Sequence, residues 1–383
     1  MPAYDVIVLG LGGMGSAAIR HLAARGKRVL GIEQFSPPHD LGSSHGRTRV
    51  IRQAYFEHPA YVPLLLRAYE LWQELERDTG EQLLLLPGGL MMGAENSEVV
   101  AGSLRSARQH GLPHEILDTQ EIRRRFPLFQ IADGTMGLFE EAAGLVFCER
   151  AITAHLLAAG RDGAELRFDE AVSSWRATPG GGVTVTTARG TYSAEQLVIT
   201  PGPWAPQLLG EIGVPLNVER QVLFWFQPPG GIEPFTPGRF PIYIWQRADG
   251  ATPYGFPAVD GANGGVKIAF YRKAVAEPCT PETVDRRIRD DDVQEMRQAI
   301  KEFLPALDGE MIQATTCLYT LTPDLNFVIG EHPRHPQVKI AAGFSGHGFK
   351  FCSVVGEILA NLARAATRQT LPVGLRQPAR GVD

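Results

Sequence analysis

The sequence predicts an α/β plus α+β protein, in which a Rossmann-type nucleotide-binding domain is joined to a second domain with a mixed or antiparallel β-sheet. Two observations predict this fold class. The chain begins with an apolar strand, a glycine-rich turn and a helix, and four closely spaced strand patterns follow between residues 220 and 272. A length of 383 residues is sufficient for two domains with buried cores.

The composition is that of an ordinary globular protein. Hydrophobic residues make up 44% of the chain and charged residues 21%, and the net charge is −5. No basic field is present, so a nucleic acid partner is not expected. No apolar run is long enough to span a membrane. The first strand begins at once and leaves no room for a signal sequence, so we expect a cytoplasmic protein.

The first element is a nucleotide-binding motif. Residues 4–9 predict a buried strand, Gly10-x-Gly12-x-x-Gly15 predicts a tight turn, and a helix is predicted from about residue 16 to 24. The first glycine allows the turn, the second allows a pyrophosphate to approach, and the third allows the helix to pack on the strand. The pyrophosphate would lie at the helix N-terminus, where free N–H groups favour an anion.

The second strand, "RVLGIE", ends at Glu33. An acid at this point accepts hydrogen bonds from ribose hydroxyls and repels a 2′-phosphate, which disfavours NADP. The motif does not distinguish NAD from FAD, and a glycine-rich structural turn is the alternative.

The elements that follow are less regular. Residues 35–55 predict a long irregular segment, which in a compact domain is usually functional. The apolar strand of residues 192–204 is expected to return to the first sheet, so the nucleotide domain would be discontinuous. Further predictions are helices at 61–77, 291–303 and 353–366, two strands around the turn of 83–93, a hairpin of 182–187 with 190–200, and strands within 220–227, 240–246, 252–258, 265–271 and 315–320.

Three segments together resemble one family. They are "GSSHGRTRVIRQAY" at 42–55, "TTCLYTLTPDLNFVIG" at 315–330 and "AAGFSGHGFKF" at 341–351, and the glycine motif and "YGFP" at 254–257 fit in register. Their order along the chain resembles the monomeric sarcosine oxidase and N-methyltryptophan oxidase family.

The resemblance implies that the cofactor is FAD and that the fold has two domains. A Rossmann-type FAD-binding domain would comprise residues 1–86, 144–217 and 318–383. A substrate-binding domain would comprise residues 87–143 and 218–317.

The four cysteines, Cys148, Cys279, Cys317 and Cys352, are widely scattered, so neither a disulfide framework nor a zinc site is indicated and no metal is predicted. By default each is an inert buried thiol. The resemblance implies instead that Cys317 forms a thioether to the 8α-methyl carbon of the flavin. One thiol suffices for this chemistry, because it adds once to an electrophilic methide, and nearby cations would favour the reactive thiolate.

Cationic side chains from distant segments carry the predicted chemistry. By resemblance, Arg52 and Lys350 bind the carboxylate of an amino acid substrate. Arg49 and His45 would lie against the flavin ring, and Lys267 would activate oxygen through its positive charge. The alternative is that such side chains are solvated surface charges.

Aromatic and apolar residues are predicted to form the rest of the substrate site. Tyr254 and Tyr319 would wall the cavity, although packing in an aromatic core explains them equally well. Arg47 and Tyr271 depart from the residues usual in the family, an acid and a histidine. We expect both to lie on the substrate side, where Ile244 or Trp245 would also contribute.

The complete set of predicted site residues has three parts. The catalytic residues are Lys267, Arg49, His45 and Tyr254. The substrate-binding residues are Arg52, Lys350, Tyr319, Tyr271 and Ile244. The cofactor-binding residues are Gly10, Gly12, Gly13, Met14, Gly15, Glu33, Gln34, Ser43, Ser44, His45, Thr48, Arg49, Val172, Gly202, Trp204, Cys317, Gly346, His347, Gly348 and Lys350, among which His347 has an alternative explanation as a structural histidine.

The predicted function is oxidation of a secondary amine, an N-methyl or cyclic amino acid, by a monomeric FAD enzyme. The amine would give up a hydride equivalent, the imine would hydrolyse, and oxygen would be converted to hydrogen peroxide. One alternative is a dehydrogenase of the same fold that uses a quinone or a protein as acceptor. Another is a non-catalytic nucleotide-binding protein, although binding ADP alone does not require the cations.

Overall fold

The computed structural model describes residues 3–209, 212–273 and 275–363. The helices are α1 (Gly13–Ala23), α2 (Val62–Thr79), α3 (Glu98–His110), α4 (Thr119–Arg125), α5 (Cys148–Arg161), α6 (Ala205–Leu208), α7 (Asp290–Phe303) and α8 (Cys352–Leu362). Within the described ranges, no helix combines the length and the apolar character needed to cross a bilayer.

The strands are β1 (Tyr4–Leu9), β2 (Val29–Ile32), β3 (Thr48–Ile51), β4 (Leu84–Leu85), β5 (Gly89–Ala94), β6 (Glu115–Leu117), β7 (Thr135–Glu140), β8 (Gly144–Phe147), β9 (Glu165–Arg167), β10 (Val172–Ala177), β11 (Val183–Thr187), β12 (Gly190–Ile199), β13 (Asn217–Gln227), β14 (Ile242–Trp245), β15 (Thr252–Gly255), β16 (Val266–Arg272), β17 (Pro278–Cys279), β18 (Glu310–Leu321), β19 (Val328–His332) and β20 (His335–Ala342).

The first sheet has eight strands and carries the glycine motif. Its order is β10-β11-β12-β1-β2-β9, and β20 pairs with β12 and with β19. At its centre β1 runs parallel to β2 and β12, and β20 runs parallel to β12. The residues of β1 from Val6 onward are buried, as expected for a strand covered on both faces. The predicted return of the strand at 192–204 to this sheet is confirmed.

The second sheet has nine strands, in the order β17-β13-β16-β15-β14-β5-β7-β6, with β18 paired to β13. The pairs of β13 with β16 and β18 are antiparallel, and β14 with β5 is a parallel pair. A mostly antiparallel second sheet is therefore confirmed. Along β18 the register sets Cys317 opposite Gln221 of β13. The division of the chain into the two predicted domains stays a prediction.

A third, three-stranded sheet corrects the prediction for residues 35–55. Thr48–Ile51 form β3, which pairs antiparallel with β8, and β4 pairs with β8 on the other side. The β-branched residues Thr48, Val50 and Ile51 favour this extended conformation. The segment is thus irregular only before and after a short strand, which holds Arg49 and presents Arg52 at its end.

Helix predictions for 61–77 and 291–303 are confirmed by α2 and α7. Helix α1 begins earlier than predicted, at Gly13, because the N–H of Ser16 already donates to the carbonyl of Gly12. The last predicted helix is α8, and its expected residues 364–366 lie outside the described part of the chain. The strands around the turn of 83–93 are present but belong to different sheets.

Candidate active site

A cavity is lined by residues of all three sheets. The first sheet contributes residues from the ends of β1, β2 and β20, the second contributes β14, β15, β16 and β18, and the third contributes β3. Its lining includes the glycine turn and Glu33 from the first sheet, and Ile244, Tyr254 and Tyr271 from the second. The cavity thus collects residues that are up to about 340 positions apart in the sequence.

The glycine turn leaves no space for a side chain at Gly10 or Gly15 but is open at Gly12. A Cβ on Gly15 would lie 1.8 Å from the carbonyl oxygen of Gly10, which itself has φ +80°. A Cβ on Gly12 would meet nothing closer than Ser44 Oγ, at 3.8 Å. Gly12 therefore leaves an open surface at the N-terminus of α1, as an approaching phosphate requires.

Glu33 is buried at the end of β2 and lines the cavity. Its carboxylate accepts from the backbone N–H of Leu11 at 2.7 Å and from that of Phe35 at 3.2 Å. Burial raises the pKa of this carboxyl, and the hydrogen bonds oppose that shift. Glu33 is thus fixed by its own backbone neighbours, with lone pairs left for a further donor.

Arg49 connects the cavity to Cys317. Its guanidinium donates to the carbonyls of Thr48 and Ser43, each at 3.0 Å, and approaches Cys317 Sγ at 3.4 Å. The Cys317 thiol is buried and lies 3.7 Å from the carbonyl oxygen of Ser43. Arg49 and Ser43 line the cavity, so the sulfur lies immediately behind its wall.

Lys267 is a second buried cation close to Arg49. Its Nζ donates to the carbonyls of Gly46 and Thr48, each at 2.6 Å, and lies 4.9 Å from the ring centre of Phe256. Burial, with the neighbouring charge of Arg49, lowers the pKa of Lys267 to about 7. The ammonium is therefore close to its titration point near neutral pH.

The two predicted histidines are in different states. Burial, followed by the charges of Arg49 and Lys267, lowers the pKa of His45 to about 3, so its imidazole is neutral. Its Nε2 is buried and has no hydrogen-bond partner among the described residues. His347 has partners on both nitrogens, Tyr55 at 2.5 Å and the carbonyl of Leu325 at 2.9 Å. His347 thus lines the cavity as a fully hydrogen-bonded histidine.

Arg52 and Lys350 lie against the same ring. The guanidinium carbon of Arg52 is 4.3 Å from the centre of the Tyr55 ring, and Lys350 Nζ is 5.2 Å from it. Lys350 Nζ donates to the carbonyl of His347 at 2.8 Å. Burial, with the charge of Arg52, lowers the pKa of Lys350 to about 7. Two cations from distant segments therefore face one region of the cavity.

A carboxylate absent from the sequence prediction completes this cluster. Glu57 accepts from Arg52 Nη2 at 2.6 Å and from the hydroxyl of Tyr271 at 3.3 Å. Burial opposes its ionisation, but Arg52, His347 and Lys350 together hold the pKa of its carboxyl below its usual range. The only signal for Glu57 in the sequence is its position five residues after Arg52, at the end of "RQAYFE".

The predicted substrate residues Ile244, Tyr254, Tyr271 and Tyr319 all line the cavity. Burial raises the pKa of Tyr254 to about 12, so it remains a neutral donor. Gly346 allows Tyr319 to pack closely, because a Cβ there would lie 2.5 Å from the tyrosine ring.

One expectation about the substrate side is wrong. Arg47 does not line the cavity, because its guanidinium binds Asp260 at 2.9 Å and Gln313, and lies over the Trp225 ring. Of the two residues expected to contribute there, Ile244 lines the cavity, whereas Trp245 is half-buried and packs edge-on against Phe303 beside the core of the second sheet. The acid that binds Arg47, Asp260, belongs to the β15–β16 loop. The sequence around Arg47 gives no indication of this distant partner.

Most predicted site residues line the cavity, and the rest lie behind its wall. The second group comprises Gly15, His45, Thr48, Lys267 and Cys317. Several lining residues were not predicted. Val50, Leu318 and Phe344 lie within the three segments that carry the resemblance but were given no role there, whereas Phe56, Glu57, Glu170 and Thr200 lie outside those segments.

The sequence profile of the FAD-dependent oxidoreductase (DAO) family matches residues 5–362. The chain belongs to this family. Monomeric sarcosine oxidase of Streptomyces avermitilis is 56% identical over 380 residues, which are 99% of this chain and 98% of that protein. N-methyl-L-tryptophan oxidase of Yersinia pestis (strain Pestoides F) is 35% identical over 369 residues, 94% of this chain and 95% of that protein.

Solved structures agree with this assignment. NikD, described as an amino acid oxidase, has a TM-score of 0.83 at 25% identity, with 97% of this chain and 96% of that chain covered. The predicted fold class and the predicted resemblance to the monomeric sarcosine oxidase and N-methyltryptophan oxidase family are therefore confirmed.

The residues of this FAD-dependent oxidoreductase suit the cofactor of its family. The open surface at Gly12 and the N-terminus of α1 fit a pyrophosphate, and Glu33 fits a ribose. The buried Nε of Arg52, which lines the cavity, has no hydrogen-bond partner among the described residues and suits a polar atom of a bound molecule.

Proposed function

We propose that this protein is an FAD-dependent oxidase of a secondary amine, and that its substrate is an N-methyl or cyclic amino acid. The observation that carries the proposal is the convergence of Arg52 and Lys350 on Tyr55, at a cavity that also contains Tyr254 and Tyr271. An amine without a carboxylate gives no reason for two buried cations, because burying unpaired charge is costly.

The charges of the cluster formed by Arg52, Lys350 and Glu57 support an anionic substrate. Arg52 is positive, Lys350 is positive when protonated, and Glu57 supplies one negative charge. A substrate carboxylate would balance the remaining positive charge. Arg52 is suited to this contact because its forked donors bind a carboxylate through two hydrogen bonds.

Bound FAD supplies the redox chemistry, taking two electrons from the amine and delivering them to an acceptor. With oxygen as acceptor, the amine loses one C–H and one N–H hydrogen to become an imine, and oxygen gains both to become hydrogen peroxide. Water then hydrolyses the imine, which releases formaldehyde if the substrate carries an N-methyl group. We propose that the ammonium of Lys267 stabilises the negative charge that develops on oxygen.

We also propose that Cys317 binds the flavin covalently. The position of its sulfur supports this role, because it contacts the Arg49 guanidinium and the carbonyl of Ser43, two residues that line the cavity. The name of the relative from Streptomyces avermitilis, monomeric sarcosine oxidase, supports the expectation of a monomer. A cytoplasmic location stays a prediction.

A substrate screen tests the proposal. Sarcosine, N-methyltryptophan, pipecolate, proline and a glycated amino acid are offered to the flavin-containing protein, while oxygen consumption and peroxide are recorded. With one or more of these amines, the amount of hydrogen peroxide formed should equal the amount of oxygen consumed. Arg52→Met should raise KM strongly for that substrate. Reduction of the flavin by an amine without peroxide, but with electron transfer to a quinone, would instead identify a dehydrogenase.

A further inference from the structure

One peptide unit connects a carboxylate to the ammonium of Lys267. The carbonyl oxygen of Gly46 accepts from Lys267 Nζ at 2.6 Å, and the N–H of Arg47 donates to Glu149 Oε1 at 3.0 Å. These two groups belong to the same peptide unit, and in a trans peptide they point in opposite directions. The peptide dipole, about 3.5 D, is therefore aligned with its negative end at the ammonium and its positive end at the carboxylate.

Glu149 binds the turn through a second donor as well. Its Oε1 accepts from the N–H of Gly46 at 2.7 Å, so two successive backbone N–H groups converge on one oxygen. Gly46 and Arg47 both have left-handed backbone conformations, with φ of 91° and 68°. Successive N–H groups in such turns form a concave anion site, and here the anion is a side chain of α5.

Other contacts fix the same turn. Gly46 has φ +91°, and a Cβ there would also lie 2.5 Å from Leu223 Cδ1, so this position favours glycine. The Arg47 side chain is anchored on Asp260 and Gln313. A strained conformation persists where surrounding contacts determine it, and such sites are often functional. The function suggested by these contacts is to hold the carbonyl groups that receive the Lys267 ammonium.

Among the described residues whose charges affect the pKa of Lys267 most strongly, Glu149 is the carboxylate. The three oxygens that accept from Lys267 Nζ, on Gly46 and Thr48, are all neutral. The other titratable groups with the largest effects on it, or beside its aromatic neighbours, are cations, an imidazole and thiols: Arg49 on β3, His45 and Arg47 in the preceding loop, Cys148 on α5 and Cys317 on β18.

We propose that Glu149 is a positioning residue for the reaction with oxygen, because it holds the turn that binds Lys267 and keeps this lysine protonated through the intervening peptide. The inference rests on the proposed role of Lys267 in the oxidase. It assigns Glu149 to the positioning of that cation, without contact with the substrate.

The first test separates the two half-reactions. Glu149→Gln retains an oxygen acceptor for the turn but removes the charge, and Glu95→Gln removes an exposed carboxylate from the β5–α3 turn as a control. The pKa of Lys267 is about 7, and removing the neighbouring negative charge should lower it by about one unit. The protonated fraction at pH 8 then falls about tenfold, so we expect E149Q to slow reoxidation by oxygen about tenfold at that pH. Anaerobic reduction by the amine should stay within about twofold of the parent rate. E149A should be slower than E149Q in reoxidation, because it also removes the acceptor of two N–H groups.

The same measurement in a Lys267→Met background tests the coupling. There E149Q should add no further slowing, because the cation on which it acts has been removed. An equal additional slowing, or an unchanged reoxidation rate for E149Q in the parent protein, would overturn the proposal.

The second test does not depend on amine oxidation. Because Lys267 is buried, its titration is read by NMR of protein with 13C-labelled lysine, in which the Cε resonance that is missing from Lys267→Met is followed as pH rises. Removing the anion should shift the midpoint of this titration down by about one pH unit in E149Q and leave it unchanged in E95Q. Identical midpoints in E149Q and the parent protein contradict the inference even if no amine is oxidised, whereas failure of the substrate screen alone concerns only the proposed function.

Discussion

At the scale of single residues, Cys317 is the clearest candidate for covalent chemistry. Its sulfur contacts the Arg49 guanidinium at 3.4 Å, and it is the cysteine whose neighbours Arg49, Ser43 and Leu318 line the cavity. We predict that the denatured wild-type polypeptide retains yellow flavin fluorescence on a gel, and that Cys317→Ser releases the flavin. Cys148→Ser is the matched control, because Cys148 is equally buried near Arg49 and should leave the flavin attached. Loss of fluorescence from both variants, or from neither, would contradict the assignment.

A second prediction concerns the pH dependence of Lys350. Its pKa is lowered to about 7, first by burial and then by Arg52, so the ammonium is lost as pH rises through that value. A carboxylate ligand favours the protonated form. Its affinity should therefore be greatest below pH 7 and fall by up to about tenfold per pH unit above it.

Acetate, which carries no amine to titrate, isolates this effect. Its dissociation constant is measured from the change in flavin absorbance between pH 6 and 9. Lys350→Met should bind acetate weakly at pH 6 and show little further loss up to pH 9. The same slope in the variant and the parent protein would assign the pH dependence to another group.

A third prediction concerns Lys267. Its Nζ donates to the carbonyls of Gly46 and Thr48 and does not line the cavity. Because the charge is proposed to act on oxygen, Lys267→Met should slow reoxidation by about 100-fold or more and slow reduction by the amine far less. Stopped-flow traces in which both half-reactions are unchanged would remove this lysine from the mechanism.

At the scale of elements, the β1–α1 turn is determined by contacts with the backbone. A Cβ on Gly15 would lie 1.8 Å from Gly10 O and 2.5 Å from Thr200 Oγ1. Gly15→Ala should lower the free energy of unfolding by about 3 kcal/mol and weaken FAD retention, because α1 must move away from the strand. A Cβ on Gly160, in α5, would meet no atom of another element within 4 Å, so Gly160→Ala should be neutral or slightly stabilising. Chemical denaturation of both variants checks the contrast.

The elements that the sequence predicted well are those with a long local pattern. The apolar run of β1 and the helical spacing of α2 are readable because burial on defined faces repeats along each segment. Strand β3 was missed because four residues carry too little periodicity and its partner β8 begins 93 positions later. Glu57 and Glu149 were also missed. Neither Arg52, which binds Glu57, nor the turn at residues 46–47, which binds Glu149, shows in the sequence that it needs a carboxylate.

At the scale of the whole molecule, the site depends on all three sheets. Arg49 comes from the third sheet and Cys317 and Lys267 from the second, while the glycine turn and Glu33 belong to the first. Resemblance supplied these residues as a set, because no local pattern connects positions so far apart. The resemblance did not supply the position of Arg47. Its guanidinium is held by Asp260 in the β15–β16 loop and by Gln313 on β18.

This shared cavity predicts that FAD stabilises the entire fold. In Cys317→Ser protein, in which FAD binds without the proposed covalent bond, FAD at 100 times its dissociation constant should add about 2.7 kcal/mol to the free energy of unfolding. For a chain of this size that corresponds to a rise in Tm of about 3 °C. ADP lacks the flavin, so it would contact fewer lining residues and should stabilise less at equal concentration. Because the ligand would contact every sheet, calorimetry should show one unfolding transition whose Tm rises with FAD. A second transition with a Tm unaffected by FAD would mean that part of the molecule unfolds independently of the site.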